Sequence, residues 1–352
     1  MTMFVRTFIN IIAFLMAITV FIALMAFSIN FLSDNAKNNH FINTYGDKNS
    51  PNKIAILKIN GPILNEPISD LDIFLFNEFE IIYASYIEQL LKELDNEEIV
   101  GLIVSINSPG GSVSGSYRLF NQLLNFKKKN KIKIYFHTND LLASGAYWAS
   151  LSGNKIFASY GSIIGSIGVK GPDWLYYDNP ISISSGILGN SVETKNGIKK
   201  FENIAGDSKD LFNPFRPPNE KEIQQLQKNV QNTYEDFINS VSKIRKIEKE
   251  IIINDLGAMI FDTKSAKNKY LIDDILPLEK VINFMIKELD IINYQIIENK
   301  NLNTNLLDKF LTSKLFIDNF SYMKDTKKSK ICQLSKYGLS AILILENKYT
   351  SC

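Results

Sequence analysis

Residues 141–150 read LLASGAYWAS, and the serine among them, Ser144, is either a nucleophile or a small residue where a helix starts. Ser-Gly pairs are common and harmless, so the rest of the chain has to decide. An unassisted hydroxyl is nearly inert at neutral pH, and a nucleophilic Ser144 therefore needs a base. The chain has only two histidines, His40 in a polar stretch far upstream and His137 in KIKIYFH (131–137). Ser144 lies seven positions after His137 along extended or turning chain, so the imidazole reads as a structural side chain. A Ser-His-Asp triad does not fit, and the remaining common option is a lysine base.

A lysine accepts a proton from serine only when neutral, which requires burial away from carboxylates. After Ser144 the candidates are Lys195, Lys199 and Lys200 in the polar segment NSVETKNGIKK (190–200), and Lys209 in AGDSKDLFNPFRPP (205–218). Lys209 differs in its setting, with a glycine before it and Phe212, Phe215 and prolines after it, but spacing alone does not choose among the four. A second constellation is NSPGGSV (107–113), where an apolar run feeds a helical pattern through two glycines. Backbone N–H groups without side chains to shield them can stabilise a developing oxyanion, although a plain Pro-Gly turn would read the same.

The elements that must position these residues alternate. KIAILKI (53–59) reads as a strand, YIEQLLKEL (86–94) as a helix, IVGLIVSI (99–106) as a buried strand, SYRLFNQLLNF (116–126) as a helix and KIKIYFH as a strand. This order predicts an α/β fold with mostly parallel pairing, which delivers NSPGG and Ser144 to one edge of a sheet. Further on, Ile223, Leu226, Val230, Tyr234, Phe237, Val241 and Ile244 recur at steps of three or four and mark a long amphipathic helix, its stripe serving core packing or a subunit contact.

Composition narrows the class. The chain has 352 residues, 45% hydrophobic, with 39 basic against 37 acidic side chains, so it is not disordered and carries no nucleic-acid footprint. Cys332 and Cys352 are not in metal-ligand spacing. Thr7 to Ser33 is a run of 27 residues without a charge, against about 20 needed to span a bilayer as a helix. Residues 1–33 are therefore expected to form an uncleaved transmembrane anchor, and 34–52 a polar juxtamembrane linker. The folded domain is expected over 53–285, with 286–352 an extension of open role. Arg6 on one side and Lys37 and Lys48 on the other leave the orientation unspecified.

In combination these segments resemble the signal peptide peptidase A family, membrane-bound Ser-Lys peptidases of the Clp protease/crotonase-like fold, built of repeated β-β-α units. The resemblance rests on SPGG (Ser108–Gly111), ASGAY (Ala143–Tyr147), GSIGV (Gly165–Val169), the G-x-x-K-D context of Gly206, Lys209 and Asp210 with Pro214 nearby, and GAMIFDTKSAKNKYLIDDI (257–275). It implies that Ser144 is the nucleophile, Lys209 the general base, and Ser166 the hydroxyl that holds the lysine amine. Gly111 and Gly145 would supply the oxyanion-hole N–H groups, with no metal or organic cofactor. It also implies a homo-oligomer, an octamer in the half-size members, in which the lysine reaches the serine of a neighbouring subunit. Substrates would be remnant signal peptides and other apolar membrane segments. The setting would be a bacterial inner membrane, contacted by the N-terminal helix, with the domain outside the cytoplasm. Two departures stand out: Ala146 replaces the usual second glycine, and the segment from Lys170 to Ala205 is longer than its counterpart. A scaffold with a vestigial site, or an acyl-CoA enzyme of the crotonase group, are the competing readings.

Overall fold

The computed structural model describes residues 40–67, 81–176 and 203–299, the backbone of 182–185 and 190–193, and eight residues between Arg6 and Phe21. The chain divides into two units, Met1–Ile42 and Asn43–Cys352. In the first, the eight described residues are helical. Among the described residues no helix is long and apolar enough to cross a membrane. Most of the expected anchor lies outside them, as do Cys332 and Cys352.

The strands, in chain order, are β1 (Phe41–Gly46), β2 (Lys53–Asn60), β3 (Ile63–Leu64), β4 (Ile82–Tyr83), β5 (Ile99–Asn107), β6 (Lys133–Thr138), β7 (Leu141–Ala143), β8 (Lys155–Ala158), β9 (Ile163–Gly165), β10 (Ser182–Ser185), β11 (Asn190–Glu193), β12 (Ile260–Asp262), β13 (Asp274–Ile275) and β14 (Gln295–Asn299). The helices that matter here are α1 (Ala84–Asn96), α2 (Val113–Asn130), α3 (Gly145–Ser150), α4 (Glu220–Arg245), α5 (Thr263–Asn268) and α6 (Leu278–Leu289).

Seven strands form the main sheet in the order β1-β14-β2-β5-β6-β8-β13, and each pairing from β14 to β13 is parallel. β2 and β5 read as near-continuous apolar runs because both faces of a parallel sheet are covered. On one face Ile54, Ile56, Ile103, Tyr135 and Phe157 pack with Val281 and Met285 of α6. α1 and α2, the crossovers that join parallel β2, β5 and β6, pack against each other. They bury Leu90 and Leu94, and Leu119 and Leu123. A small sheet, β12-β9-β7, stands beside the main one.

Two expected boundaries shift. Residues 41–46, inside the stretch read as linker, form β1, where the Asn43 amide donates to Gln295 Oε1 (3.0 Å) and Thr44 Oγ1 to the Ile296 carbonyl (3.4 Å). Polar side-chain bonding of this kind leaves no hydrophobic period to read. The fold also continues past residue 285, which falls inside α6, because β14 pairs with β2.

Candidate active site

Ser144 occupies the single residue between β7 and α3, with φ 52° and ψ −125°. Few residues other than glycine adopt a positive φ, and this ψ lies outside the left-handed helical well, so the backbone here is strained by about 1–3 kcal/mol. Surrounding bonds fix it. The Ser144 N–H donates to the Gly165 carbonyl (2.9 Å), Trp148 N–H donates to the Ser144 carbonyl (3.0 Å), and Ala143 N–H to the Ser108 carbonyl (3.1 Å). α3 is buried throughout, with the Tyr147 hydroxyl donating to the Leu271 carbonyl (2.9 Å) and Trp148 stacked on Phe237 of α4 at 4.6 Å and 4°. Ser144 itself stays half-exposed among buried neighbours. A serine on a strained strand-to-helix elbow, open to solvent and backed by a rigid helix, is the geometry of an activated nucleophile.

The glycine turn meets this elbow. Gly110 has φ 95°, and a Cβ built on it would stand 2.7 Å from Gly145 N and 2.8 Å from Ser144 Cβ. A Cβ on Gly145 would collide with Ser116 Oγ and stand 3.5 Å from Gly111 N. Only glycine allows the three backbones this approach. The bridge between Ile63 and Gly111 uses the Gly110 carbonyl, which accepts from Ile63 N–H (2.8 Å), and the Ser112 N–H, which donates to the Ile63 carbonyl (2.8 Å). Gly111's own N–H is therefore left out of the pairing, and Gly145's is the orphan donor of a helix's first residue. Among the described residues neither N–H has a backbone partner, so two donors lie beside Ser144 in the arrangement that can bind an oxyanion.

Ser166 follows β9 with φ 55°, half-buried, its N–H donating to the Met259 carbonyl (2.7 Å). Because Ala143 pairs with Gly165 across parallel strands, Ser166 is the cross-strand neighbour of Ser144. The structure thus gathers Ser144, Ser166, Gly111 and Gly145 at one edge. It does not bring Lys209 to them within one chain: Lys209 is solvent-exposed on a turn opened by Gly206, where its N–H donates to the Gly206 carbonyl (3.3 Å), and no hydrogen bond joins it to Ser144. Lys195, Lys199 and Lys200 lie outside the described residues. His137 is fully buried, with Nε2 3.2 Å from both Ser159 Oγ and the Leu276 carbonyl. Desolvation holds its pKa down at about 4, so it is neutral and structural.

One cluster beside Lys209 gave no sequence signal. Arg216 pairs with Asp210 and with Glu222 of α4, from residues six apart on either side, a spacing that belongs to no helical or strand period.

The profile of peptidase family S49 matches residues 126–291. A Methanocaldococcus jannaschii protein named as a protease is 32% identical over 227 residues, 62% of this chain and 68% of its own length. An Enterococcus faecium protein named as a signal peptide peptidase SppA is 28% identical over 266 residues, 76% of this chain and 72% of its own. Among solved structures, ClpP1 of Listeria monocytogenes covers 64% of this chain and 92% of its own, at 14% identity and a TM-score of 0.39. The protein is a mixed α/β serine-type peptidase. The chain belongs to peptidase family S49, that of signal peptide peptidase A.

Proposed function

We propose that the protein is a membrane-anchored endopeptidase that cleaves remnant signal peptides and other apolar membrane-associated segments with a Ser-Lys dyad. The observation that carries this reading is the strained, half-exposed Ser144 beside the Gly111 and Gly145 N–H groups, which have no backbone partner among the described residues. Ser144 Oγ attacks the scissile carbonyl while Lys209 Nζ takes its proton. The tetrahedral oxyanion is held by Gly111 and Gly145 N–H, each such donor worth on the order of 3 kcal/mol in the barrier. Lys209 then gives the proton to the leaving amine, and the acyl-enzyme is hydrolysed by a water that Lys209 deprotonates in turn. Ser166 keeps the amine in line.

An exposed lysine stays charged, so Lys209 must be covered to act as a base. A neighbouring copy of the chain would cover it, its Lys209 serving the Ser144 next door, in a closed ring for which eight copies is the family's precedent. Apolar substrates suit the rim: Val113 beyond the glycine turn is 44% exposed, and Met259 and Ile260 beside Ser166 are 55% and 58% exposed. Residues 1–33 would anchor the assembly in a bacterial inner membrane with the domain outside the cytoplasm.

The test is hydrolysis of a fluorogenic apolar peptide by detergent-solubilised protein. Ser144→Ala and Lys209→Ala are expected to be dead separately and to recover part of the activity when mixed. If Lys209→Ala stays active while Ser144→Ala is dead, the base is one of Lys195, Lys199 and Lys200. A wild type inert towards every apolar peptide would favour a scaffold of the same fold.

A further inference from the structure

Arg216 is held more firmly than a surface arginine needs to be. Its Nε and Nη2 donate to the two carboxylate oxygens of Asp210, each at 2.6 Å, and Nη1 and Nη2 donate to Glu222 at 2.9 and 2.8 Å. Its guanidinium carbon lies 5.2 Å from the ring centre of Trp174, whose Nε1–H donates back to the Arg216 carbonyl (3.3 Å), while the Trp174 and Phe212 rings sit 5.3 Å apart. Glu222, its side chain 2% exposed, also closes the N-terminus of α4: its carboxylate accepts from Asn219 N–H (2.8 Å) and its own N–H donates to Asn219 Oδ1 (2.9 Å). One side chain thus joins the Lys209 turn, the segment carrying Trp174 and the start of α4.

Asp210 adjoins Lys209 in sequence, and that creates a chemical conflict. A free carboxylate beside a lysine favours the charged amine, which cannot act as a base. We infer that Arg216 is a positioning residue for the Lys209 base: it fixes the turn that presents the lysine, and it takes up the Asp210 carboxylate so that this charge does not hold the amine protonated. This inference rests on the Ser-Lys reading above.

Charge and geometry agree. Hydrogen bonds from Arg216 hold the Asp210 carboxyl well below the usual carboxylate range and that of Glu222 down at about 2, so both remain anions and both stay engaged by the guanidinium. Among the described residues, further charged groups on the turn and the segments tied to it include Asp207, Glu220 and Lys221 at the start of α4, and Lys170 and Asp173, which pair with each other at 3.0 Å on the Trp174 segment. Among the described residues, Asp210 is the carboxylate that both adjoins Lys209 in sequence and is held through two hydrogen bonds by Arg216. Lysine in place of Arg216 would keep the charge and lose the fork.

The experiment is the pH profile of kcat/KM for the apolar peptide, measured on the full chain in detergent. With Arg216→Gln the acid limb is expected to move up by about 0.5–1.5 pH units, the effect of one unpaired neighbouring charge at intermediate dielectric, and kcat is expected to fall more than KM rises. Adding Asp210→Asn to Arg216→Gln removes the stray anion and is expected to return the limb towards its wild-type position. Arg216→Lys is expected to lower kcat several-fold with the limb in place, and it carries the test if Arg216→Gln does not fold. A limb unmoved by Arg216→Gln, a double variant that fails to move it back, or an Arg216→Lys profile shifted as far as that of Arg216→Gln overturns the inference. If Lys209→Ala itself retains activity, the Ser-Lys reading falls and this inference with it. If Ser144→Ala and Lys209→Ala are dead and the Arg216 profiles superimpose on wild type, only the inference falls.

Discussion

Replacing Ser144 with glycine should make the protein more stable while abolishing its activity. The argument is conformational: φ 52° and ψ −125° strain any residue with a Cβ, by about 1–3 kcal/mol, whereas glycine occupies that region freely. Against this relief stands the greater entropy of a glycine in the unfolded chain, about 0.5–1 kcal/mol. The balance is a stabilisation of up to about 2.5 kcal/mol. At a urea slope of about 3 kcal/mol per molar it raises the unfolding midpoint by up to roughly 0.8 M. Ser144→Ala is the control, since it removes the hydroxyl but keeps the Cβ and its strain, and its midpoint should stay near wild type. The assay is urea unfolding followed by the far-ultraviolet circular dichroism of the three proteins at one concentration. A Ser144→Gly midpoint no higher than that of Ser144→Ala would refute the claim that strain is stored at this elbow, and with it the observation on which the nucleophile assignment chiefly rests.

The remaining predictions concern the groups that support the elbow. Gly110→Ala places a Cβ 2.7 Å from Gly145 N at φ 95°, so it should destabilise the fold by about 2 kcal/mol or more and remove activity, read by thermal melting and peptide hydrolysis. Phe237→Ala empties the place of a ring 1% exposed and stacked on Trp148, and should lower stability by about 3–5 kcal/mol in the same melt. His137 has a folded-state pKa of about 4 against an ordinary 6.5, so as pH falls the unfolded chain takes up the proton first. Its contribution is full above pH 6.5 and is lost as pH falls through about 4, up to about 3 kcal/mol; His137→Gln should lose correspondingly less stability over that window in urea titrations at stepped pH.

How far the site could be read in the sequence depends on what kind of constraint each residue answers. Gly110, Gly111 and Gly145 are visible because close backbone approach admits no other residue, and Ser144 is visible because it stands among them. β2 and β5 are visible because a sheet covered on both faces leaves unbroken apolar runs. β1 and β14 are harder: β1 is joined to its neighbour by polar side chains such as Asn43 and Thr44, and β14 closes on a strand some 240 residues earlier in the chain, a pairing no local window contains.

Lys209 is the hardest case, and the reason is physical. A lysine base is recognised by burial, yet Lys209, the base of the proposed dyad, is exposed in one chain, and no pattern of its neighbours makes it look otherwise. The same holds for α4. Its apolar stripe reads as continuous from Ile223 to Ile244, but Phe237 and Val241 are buried while Ile223 is 41% exposed and Leu226 and Val230 are only partly covered. The half of the helix that is less covered among the described residues is the half that begins at Glu222, the residue tied through Arg216 to the Lys209 turn. On the proposed reading the open stripe and the exposed base have a single cause: both await the neighbouring copy whose Ser144 this lysine serves. A surface that would seat that copy along Ile223, Leu226 and Val230 would also take Lys209 out of water, so assembly and activation of the base would be one event.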